Sequence, residues 1–436
     1  MGPVYLDHAA TSPMPREVID VYAAALATVG NPSSIHAQGQ GARAVLEDAR
    51  ERVAASLGAD AVEVVLTGGG TEAVNTAIKG LYWAQTGGGR RSPAPGPDAD
   101  APGAGVAATP ARRSPLRRAA PGSRDAGGPP TAPPRARIVV PRGEHHATLD
   151  AVEWLERHEG AGVTWIDLDE RGRIDVAAFE RALGPDVALA TAIWANNEVG
   201  TIQPVAELAA LAAAHGVPLH LDAIAAYGYL PIDAHALGVA ALSVSAHKIG
   251  GPVGIGALYL ARTAAVVPLV HGGEQQRARS GTQDAAGAAA FAAAADRATA
   301  ALPERTARLR ALRDRLIDGI RSSVPQAVLR GDPVDRLPGN VHVTVPGCEG
   351  DSLLFLLDVA GFSVSTGSAC RAGVLEASHV LLAMGVPETD ARGALRVTIG
   401  DETAADEIDA LVAALPAAVE RATAAGLADR EPALGR

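Results

Sequence analysis

The sequence predicts an α/β protein: a large domain with a mostly parallel sheet flanked by helices, plus a smaller α+β domain. Up to about residue 265, short continuous apolar runs alternate with helix-like segments, which is typical of strands buried on both faces. Beyond that point, long helices rich in Ala, Leu and Arg at roughly 283–323 precede further strand-like segments and a last helix near 403–425. We therefore expect a large domain over 15–265 and a small domain formed by 1–14 and 266–436.

Six apolar runs are expected to form strands of the large domain. They cover residues 63–67, 137–141, 187–195, 217–222, 241–246 and 255–260. Helix-like segments follow the first three runs, and Gly216 closes the last of these segments as a helix C-cap would. Because ligands bind at the loops that leave the carboxyl ends of parallel strands, we expect the chemistry at that edge of the sheet.

One segment breaks this alternation. Residues 86–136 are dominated by Pro, Gly, Ala and Ser, so they offer little apolar surface to offset chain entropy. We interpret them as a disordered surface insertion. Their arginines could dock an acidic partner, but a tolerated loop expansion is the simpler interpretation.

Composition argues against several classes of function. A net charge of −11 disfavours nucleic-acid binding, which depends on a basic surface. No apolar stretch reaches the roughly 18 residues of a membrane span, and the first residues, "MGPVYLDHAATSPMP", do not resemble a signal peptide. The chain has only two cysteines, Cys348 and Cys370, so neither a disulfide framework nor a multi-cysteine zinc site is predicted. We expect a cytoplasmic protein without a metal site.

Cys370 lies in a context that is unusual for a packed cysteine. The stretch "STGSACRAG" (365–373) is small, polar and glycine-bearing, which is typical of a mobile surface loop. A thiol there is either incidental or reactive, and the adjacent Arg371 would favour the reactive thiolate.

A lysine and a glycine-rich turn suggest chemistry at the sheet edge. Lys248 follows an apolar strand and opens onto glycines in "SAHKIGG". Most lysines are solvated surface residues, but a desolvated amine at the ligand edge can form a Schiff base. The turn "TGGGT" (67–71) leads into a helix, whose free N–H groups form an anion site. It lacks the ending of a nucleotide P-loop, so a single phosphate fits better than a triphosphate.

Asp222 and two adjacent histidines add to this set. Asp222 ends a buried strand and needs a partner there, either an ordinary salt bridge or a protonated pyridine nitrogen. His145 and His146 lack a further ligand at the spacing of a metal site, so stacking on a flat cofactor or proton transfer fits better. A phosphate, a pyridinium and an aldehyde-binding lysine at one sheet edge together describe pyridoxal phosphate.

Ten stretches follow one another along nearly the whole chain: "YLDHAATSP", "GNPSSIH", "GGTEAVN", "EHHATL", "NNEVGTIQP", "DAIAAYGYLPID", "SAHKIGGPVGIGALY", "RSGTQD", "STGSACRAG" and "LRVTIG". In this order they resemble the cysteine desulfurases of the class V aminotransferase family, in the group with a long cysteine loop. The resemblance implies fold type I of the pyridoxal phosphate enzymes, with a seven-stranded, mostly parallel sheet. It also implies pyridoxal 5'-phosphate as cofactor, L-cysteine as substrate and a homodimer. The sulfur acceptor would be an iron–sulfur scaffold protein or a thiolation enzyme.

The resemblance also implies roles for residues at matching positions. Lys248 would bind the cofactor and shuttle the substrate proton. His145 would stack on the cofactor ring and assist the acid–base steps, and Asp222 would pair with its pyridine nitrogen. Further cofactor contacts would come from Gly70, Thr71, Asn197, Ser245 and His247.

Other implied contacts involve the substrate and a second subunit. Thr282 would reach the phosphate that a second subunit binds. Asn197 and Arg396 would hold the substrate carboxylate, Arg396 through a charge-assisted contact, and Asn31 would lie near the same pocket.

The implied reaction converts L-cysteine into L-alanine and leaves the sulfur on Cys370 as a persulfide, which the acceptor protein collects. One alternative is a selenocysteine lyase or another class V pyridoxal phosphate enzyme in which Cys370 is dispensable. A second is a low-activity scaffold that binds sulfur carriers, because Ala225 stands where the family has a glutamine that hydrogen-bonds the cofactor. Losing such a donor typically costs about 1.5–3 kcal/mol, and Tyr227 is a candidate substitute.

Overall fold

The fold is described by a computed structural model that covers residues 2–87, 135–273, 275–367 and 377–424. Cys370 and Arg371 lie outside the described residues, and so does most of the predicted insertion at 86–136.

Twelve strands run through the described ranges, numbered in chain order. They are β1 (Val4–Tyr5), β2 (Val64–Thr67), β3 (Arg137–Pro141), β4 (Gly162–Ile166), β5 (Val187–Ile193), β6 (Leu219–Asp222), β7 (Ala241–Ser245), β8 (Gly256–Leu260), β9 (Val328–Leu329), β10 (Asn340–Thr344), β11 (Phe362–Ser363) and β12 (Ala394–Thr398).

Thirteen α-helices lie in the same ranges. They are α1 (Arg16–Leu26), α2 (Ala37–Ser56), α3 (Gly70–Thr86), α4 (His146–Glu159), α5 (Val176–Ala182), α6 (Val205–Ala214), α7 (Ala234–Leu237), α8 (Ala285–Ala300), α9 (Leu302–Ser323), α10 (Gly350–Val359), α11 (His379–Ala383), α12 (Glu388–Ala391) and α13 (Ala405–Ala424).

The central sheet has seven strands in the order β2-β8-β7-β6-β5-β3-β4. Neighbouring strands from β7 to β4 pair in parallel, whereas β8 is antiparallel to both β2 and β7. Every residue of β5, β6, β7 and β8 is buried, because helices α3 and α4 cover one face and α2, α6 and α8 cover the other. The predicted mostly parallel, seven-stranded sheet is thus confirmed.

Two helices position the residues at the carboxyl edge of this sheet. Helix α3 begins directly after Gly69, whose φ of 136° places it in the region that favours glycine. Helix α4 is preceded by His145, whose side chain caps the first turn, and it ends at Gly160 in the left-handed conformation. Both helix N-termini therefore point at the edge where β5, β6 and β7 end.

A second core forms around a three-stranded antiparallel sheet, β12-β10-β9, and the parallel pair β1–β11. Helices α9, α10 and α13 pack on it, and Leu6 from the start of the chain is fully buried there. Helix α8 was expected in the small domain, but its buried residues, such as Phe291, lie in the core of the large sheet. This helix therefore packs with the large sheet rather than with the C-terminal elements.

Among the helices of the described ranges, none combines the length and apolar character that crossing a membrane requires.

Candidate active site

A cavity of about 290 Å³ opens where β5, β6 and β7 end, and the second core closes its other side. The last residues of these strands, Ile193, Asp222 and Ser245, line it from the sheet. The cavity collects eight of the residues that the sequence predicted for the site. These eight are Gly70, Thr71, His145, Asn197, Asp222, Ser245, His247 and Lys248.

Lys248 reaches the cavity from a short 3₁₀ turn that directly follows β7. Its Nζ donates to the carbonyl oxygens of Ala9 at 2.6 Å and Ala10 at 2.9 Å. Burial lowers the pKa of Lys248 to about 8, and the nearby charge of Arg396 adds to this, while two carboxylates oppose it. A neutral, nucleophilic amine is therefore far more accessible at neutral pH than it is for an ordinary lysine.

Asp222 is 2% exposed, and its Oδ1 accepts a hydrogen bond from the Ile224 amide at 3.0 Å. Burial raises the pKa of Asp222 to about 6, although the Ile224 amide and the charge of Lys248 lower it. The carboxylate is thus mostly ionised at neutral pH yet poorly solvated. It can bind a cationic partner such as a protonated pyridine nitrogen.

His145 faces the cavity as a neutral imidazole of one tautomer. Its Nδ1 accepts from the Ala147 amide at 3.0 Å, so the ring proton of the neutral form sits on Nε2. Burial lowers the pKa of His145 to about 4, and the charges of Lys248 and His379 contribute. The ring can therefore stack on a flat ligand and donate a hydrogen bond from Nε2.

The start of α3 forms an anion site together with β7. Ser245 Oγ is buried and has no hydrogen-bond partner within the described ranges. A Cβ on Gly70 would collide with Ile224 Cδ1 and approach Ser245 Cβ to 3.3 Å, so this turn brings bare backbone against the cavity. Burial lowers the pKa of His247 to about 4, with a smaller effect from Lys248, so its ring is neutral. Free amides and hydroxyls in this arrangement fit a phosphate group.

Arg396 stands at the edge of the cavity rather than among its lining residues. Its Nη2 donates to Asp7 Oδ1 at 2.7 Å and its Nη1 to the carbonyl oxygen of Asn197 at 3.0 Å. Its Nε is buried without a hydrogen-bond partner in the described part of the chain. The guanidinium is thus held in one orientation at the edge of the cavity, and its positive charge suits recognition of a carboxylate.

Two predicted site residues lie elsewhere. Asn31 is exposed, and its Oδ1 accepts from the Ser33 amide at 2.9 Å. Thr282 is also exposed. In the described part of this single chain neither residue lines the cavity.

Tyrosines near Ala225 differ in their access to the cavity. Ala225 does line it, but the Tyr227 hydroxyl bonds to Ser56 Oγ at 2.6 Å and its ring packs edge-on against Phe291 in the large core. Tyr227 therefore cannot replace the missing glutamine. Tyr229 lines the cavity instead, a residue that sequence reasoning missed because nothing in its neighbourhood marks the direction of its side chain.

Of the two cysteines, the structure describes only Cys348. It is 1% exposed, and its Sγ lies 3.1 Å from Thr423 Oγ1 in the second core. Cys348 is therefore a packing residue, and Cys370 stays the predicted reactive thiol.

A lysine and an aspartate at adjacent strand ends, facing an anion site at a helix N-terminus, define a fold type I pyridoxal phosphate enzyme. The chain belongs to the class V aminotransferase family, which it matches over residues 4–91 and 127–411. This family depends on pyridoxal phosphate, and the orphaned Ser245 hydroxyl and the bare Gly70 turn fit that group. When bound, it would be held by Lys248, Asp222 and the amides at the start of α3.

Relatives agree with this assignment. The chain is 47% identical to the IscS-like cysteine desulfurase of Mycobacterium tuberculosis, over 97% of this chain and 98% of the relative. Among solved structures, a NifS-like protein superposes with a TM-score of 0.80 at 28% identity, covering 96% and 100% of the two chains. SspA in complex with cysteine has a TM-score of 0.70 at 27% identity, over 91% and 98%. The predicted family, fold, cofactor and cysteine desulfurase class are confirmed.

Proposed function

We propose that this chain removes the sulfur of L-cysteine with pyridoxal phosphate bound at Lys248 and transfers it to Cys370. The shared cavity of three groups supports the roles of these residues. In a chain closely related to cysteine desulfurases, a buried lysine with a lowered pKa shares one cavity with Asp222 and the anion site of α3. The products are L-alanine and a persulfide on Cys370.

The cofactor, when bound, supplies an electron sink for the charge that develops on the substrate α-carbon. The residues of the chain bind and orient. Asp222 holds the proton on the pyridine nitrogen, and Ser245 and Thr71 bind the phosphate. Arg396 orients the substrate carboxylate from the edge of the cavity, where Asp7 and the Asn197 carbonyl oxygen fix its guanidinium. The Lys248 amine holds the proton that leaves the α-carbon and returns one to the product.

Transfer of the substrate sulfur to Cys370 needs no additional oxidant or reductant. The Cys370 thiolate sulfur bonds to the substrate sulfur while the substrate C–S bond breaks. The electron pair of that bond stays on the carbon, which takes up a proton and becomes the methyl group of L-alanine. Cys370 is left as a persulfide, so its release requires an acceptor or a reductant.

Exposed apolar side chains support the proposed homodimer. Val29 is 81% exposed and Ile35 is 91% exposed, and they flank Asn31, which the resemblance assigns to the substrate pocket. A second copy that covers this stretch would bury these side chains and could bring Asn31 and Thr282 to a cavity. We further propose a cytoplasmic location and an acceptor protein of iron–sulfur assembly or thiolation.

The decisive experiment compares the two cysteines. The holoenzyme is incubated with L-cysteine, L-alanine is quantified, and the peptide that contains Cys370 is weighed with and without a reductant. We expect a reducible sulfur adduct on Cys370, its loss together with most alanine formation in Cys370→Ser, and wild-type behaviour in the control Cys348→Ala. Alanine formation at the wild-type rate in Cys370→Ser would favour a selenocysteine lyase or another class V activity.

A further inference from the structure

Glu144 is a fully buried carboxyl directly before His145, between β3 and α4. It does not line the cavity, and none of the roles derived above uses it. Its backbone oxygen lies 2.9 Å from His379 Nε2. The residue therefore lies behind the part of the cavity wall that carries His145, outside the cavity lining.

The Glu144 carboxyl forms a hydrogen bond with the end of β5, the strand next to the one that ends at Asp222. Its Oε1 accepts a hydrogen bond from the Ile193 amide at 2.6 Å. Ile193 is the last residue of β5 and pairs in register with Asp222, the last residue of β6. One hydrogen bond thus joins the start of α4 to the pair of strand ends that form the floor of the cavity.

Two buried carboxyls therefore lie close enough to interact electrostatically, and their environments differ. Asp222 has the cation of Lys248 nearby, whereas within the described ranges an ionised Glu144 is stabilised by the Ile193 amide and the Thr148 hydroxyl. Burial and the charge of Asp222 raise the pKa of Glu144 to about 8. When the environments of two titratable groups push their pKa values apart in this way, one group keeps its proton and the other keeps its charge.

The hydrogen-bond pattern places that proton on one atom. Because Oε1 accepts from the Ile193 amide, the proton belongs on Oε2. Glu144 Oε2 and Thr148 Oγ1 are both buried and lack a partner with full hydrogen-bond geometry within the described ranges. The Thr148 hydroxyl is close enough to affect the carboxyl, and a hydroxyl oxygen can accept a proton from Oε2.

We propose that Glu144 is a positioning residue that works in its protonated form: it clamps the start of α4 to the end of β5 and leaves Asp222 to carry the negative charge under the cofactor. Because the inference rests on the proposed role of Asp222, its test must separate the two. An ionised Glu144 would repel the Asp222 carboxylate and drive that group towards its protonated form. Asp222 would then be a weaker partner for a pyridinium.

Infrared spectroscopy of the holoenzyme tests the protonation state directly. Glu144→Gln keeps the size of the side chain and an oxygen that can accept from the Ile193 amide. The difference spectrum between wild type and this variant near neutral pH should show loss of a protonated carboxyl C=O band. The control Glu156→Gln, an exposed residue of α4, should lose carboxylate bands instead. Loss of carboxylate bands in Glu144→Gln would overturn the proposal.

Cofactor binding tests the positioning role. Near neutral pH we expect Glu144→Gln to retain the wild-type affinity for pyridoxal phosphate and the wild-type visible spectrum. Glu144→Met cannot accept from the Ile193 amide and should bind the cofactor about tenfold more weakly. As the pH rises through about 8, the infrared band of the protonated carboxyl should disappear in the wild type, a titration step that the Gln variant lacks. A Gln variant that binds as weakly as the Met variant, or that keeps this step, would contradict the proposal. If the Met variant does not fold, the wild-type and Gln titrations decide alone.

Asp222→Asn separates this proposal from the one on which it rests. If Asp222 pairs with the pyridine nitrogen, the Asn variant should bind the cofactor more weakly and show a shifted visible spectrum. An unchanged affinity and spectrum would contradict the role of Asp222. It would also contradict the proposal that Glu144 acts by keeping Asp222 ionised. The infrared result would still report the protonation state of Glu144 on its own.

Discussion

Asp7 and Arg396 form a salt bridge at the edge of the cavity, with Nη2 and Oδ1 2.7 Å apart across 389 positions of the sequence. The side chain of Arg396 is 6% exposed and that of Asp7 is 20% exposed. A second hydrogen bond from Nη1 to the Asn197 carbonyl oxygen completes the hold on the guanidinium. Two of its three nitrogens are thereby engaged by the chain, and the orientation of the third is set before substrate arrives.

This arrangement predicts the effect of Arg396→Lys. A single ammonium cannot serve Asp7, the Asn197 carbonyl and a substrate carboxylate together. We expect the KM for L-cysteine to rise about tenfold or more, since a hydrogen bond to a charged group contributes about 1.5–3 kcal/mol, with a smaller change in kcat. Steady-state kinetics measures this split, and Arg52→Lys, which alters an exposed pair with Asp296, is the control. An unchanged KM would remove Arg396 from substrate binding.

Ala225 leaves room for a restored donor in the cavity. We expect Ala225→Gln to shift the visible spectrum of the bound cofactor and to tighten its binding by up to about tenfold, because the amide can donate to an oxygen of the ring. Titration of the apoenzyme with pyridoxal phosphate measures both effects. No change in either would mean that Ala225 is not where this donor is missing.

Tyr227→Phe is the matching test of the other candidate. Its hydroxyl is bonded to Ser56 in the large core, and burial is the main reason that its pKa is raised. We expect an unchanged cofactor spectrum and a free energy of unfolding lower by about 1 kcal/mol. Chemical denaturation measures the free energy of unfolding, and absorbance measures the cofactor spectrum. A spectral change without a stability change would indicate that Tyr227 contacts the cofactor.

Sequence reasoning found the parts of the site that lie at the ends of secondary structure. Asp222 and Gly70 line the cavity at places that an apolar run and a glycine turn mark as a strand end and a helix start, whereas Ser245, which also lines it, was implied by the family resemblance. The Asp7–Arg396 pair depends on a contact between the segment that follows β1 and the last strand, β12, which no local pattern encodes. Strand β4 was not predicted, because it lies at the edge of the sheet and most of its residues are half-buried, so its sequence does not form an apolar run.

The pair of His235 and Glu63 predicts a pH dependence of stability. His235 Nε2 lies 2.6 Å from Glu63 Oε2, and this contact raises the pKa of His235. A raised folded-state pKa means that the stabilisation is present at low pH and lost as the pH rises through that pKa. Arg262 pairs with the neighbouring Asp60 at 2.5 Å, so a cation already balances this acidic cluster.

We therefore expect His235→Gln to lower the Tm more at about pH 5.5 than at about pH 9. Thermal unfolding of wild type and variant at both pH values measures the difference. The depressed pKa of Glu63 arises from His235 and from backbone donors acting against burial, so Glu63 remains ionised in this window. An equal or larger loss of Tm at the higher pH would contradict the pairing.

Gly256 couples the sheet to the phosphate turn. It is the first residue of β8, and a Cβ there would lie 2.7 Å from the Val244 carbonyl oxygen and 2.8 Å from the Gly69 carbonyl carbon. Both contacts are with backbone, so the substitution Gly256→Ala must displace β7 or the turn that precedes α3. Overpacking of this kind typically costs about 1–3 kcal/mol, and here the displaced turn is the proposed anion site.

We expect Gly256→Ala to lower both the Tm of the apoenzyme and its affinity for pyridoxal phosphate. Gly162→Ala is a matched control, because Gly162 begins the edge strand β4 of the same sheet and its added Cβ would meet nothing closer than 3.7 Å. Loss of Tm with unchanged cofactor affinity would show that β7, rather than the turn, absorbs the strain. The anion site would then tolerate a shift in the sheet on which it rests.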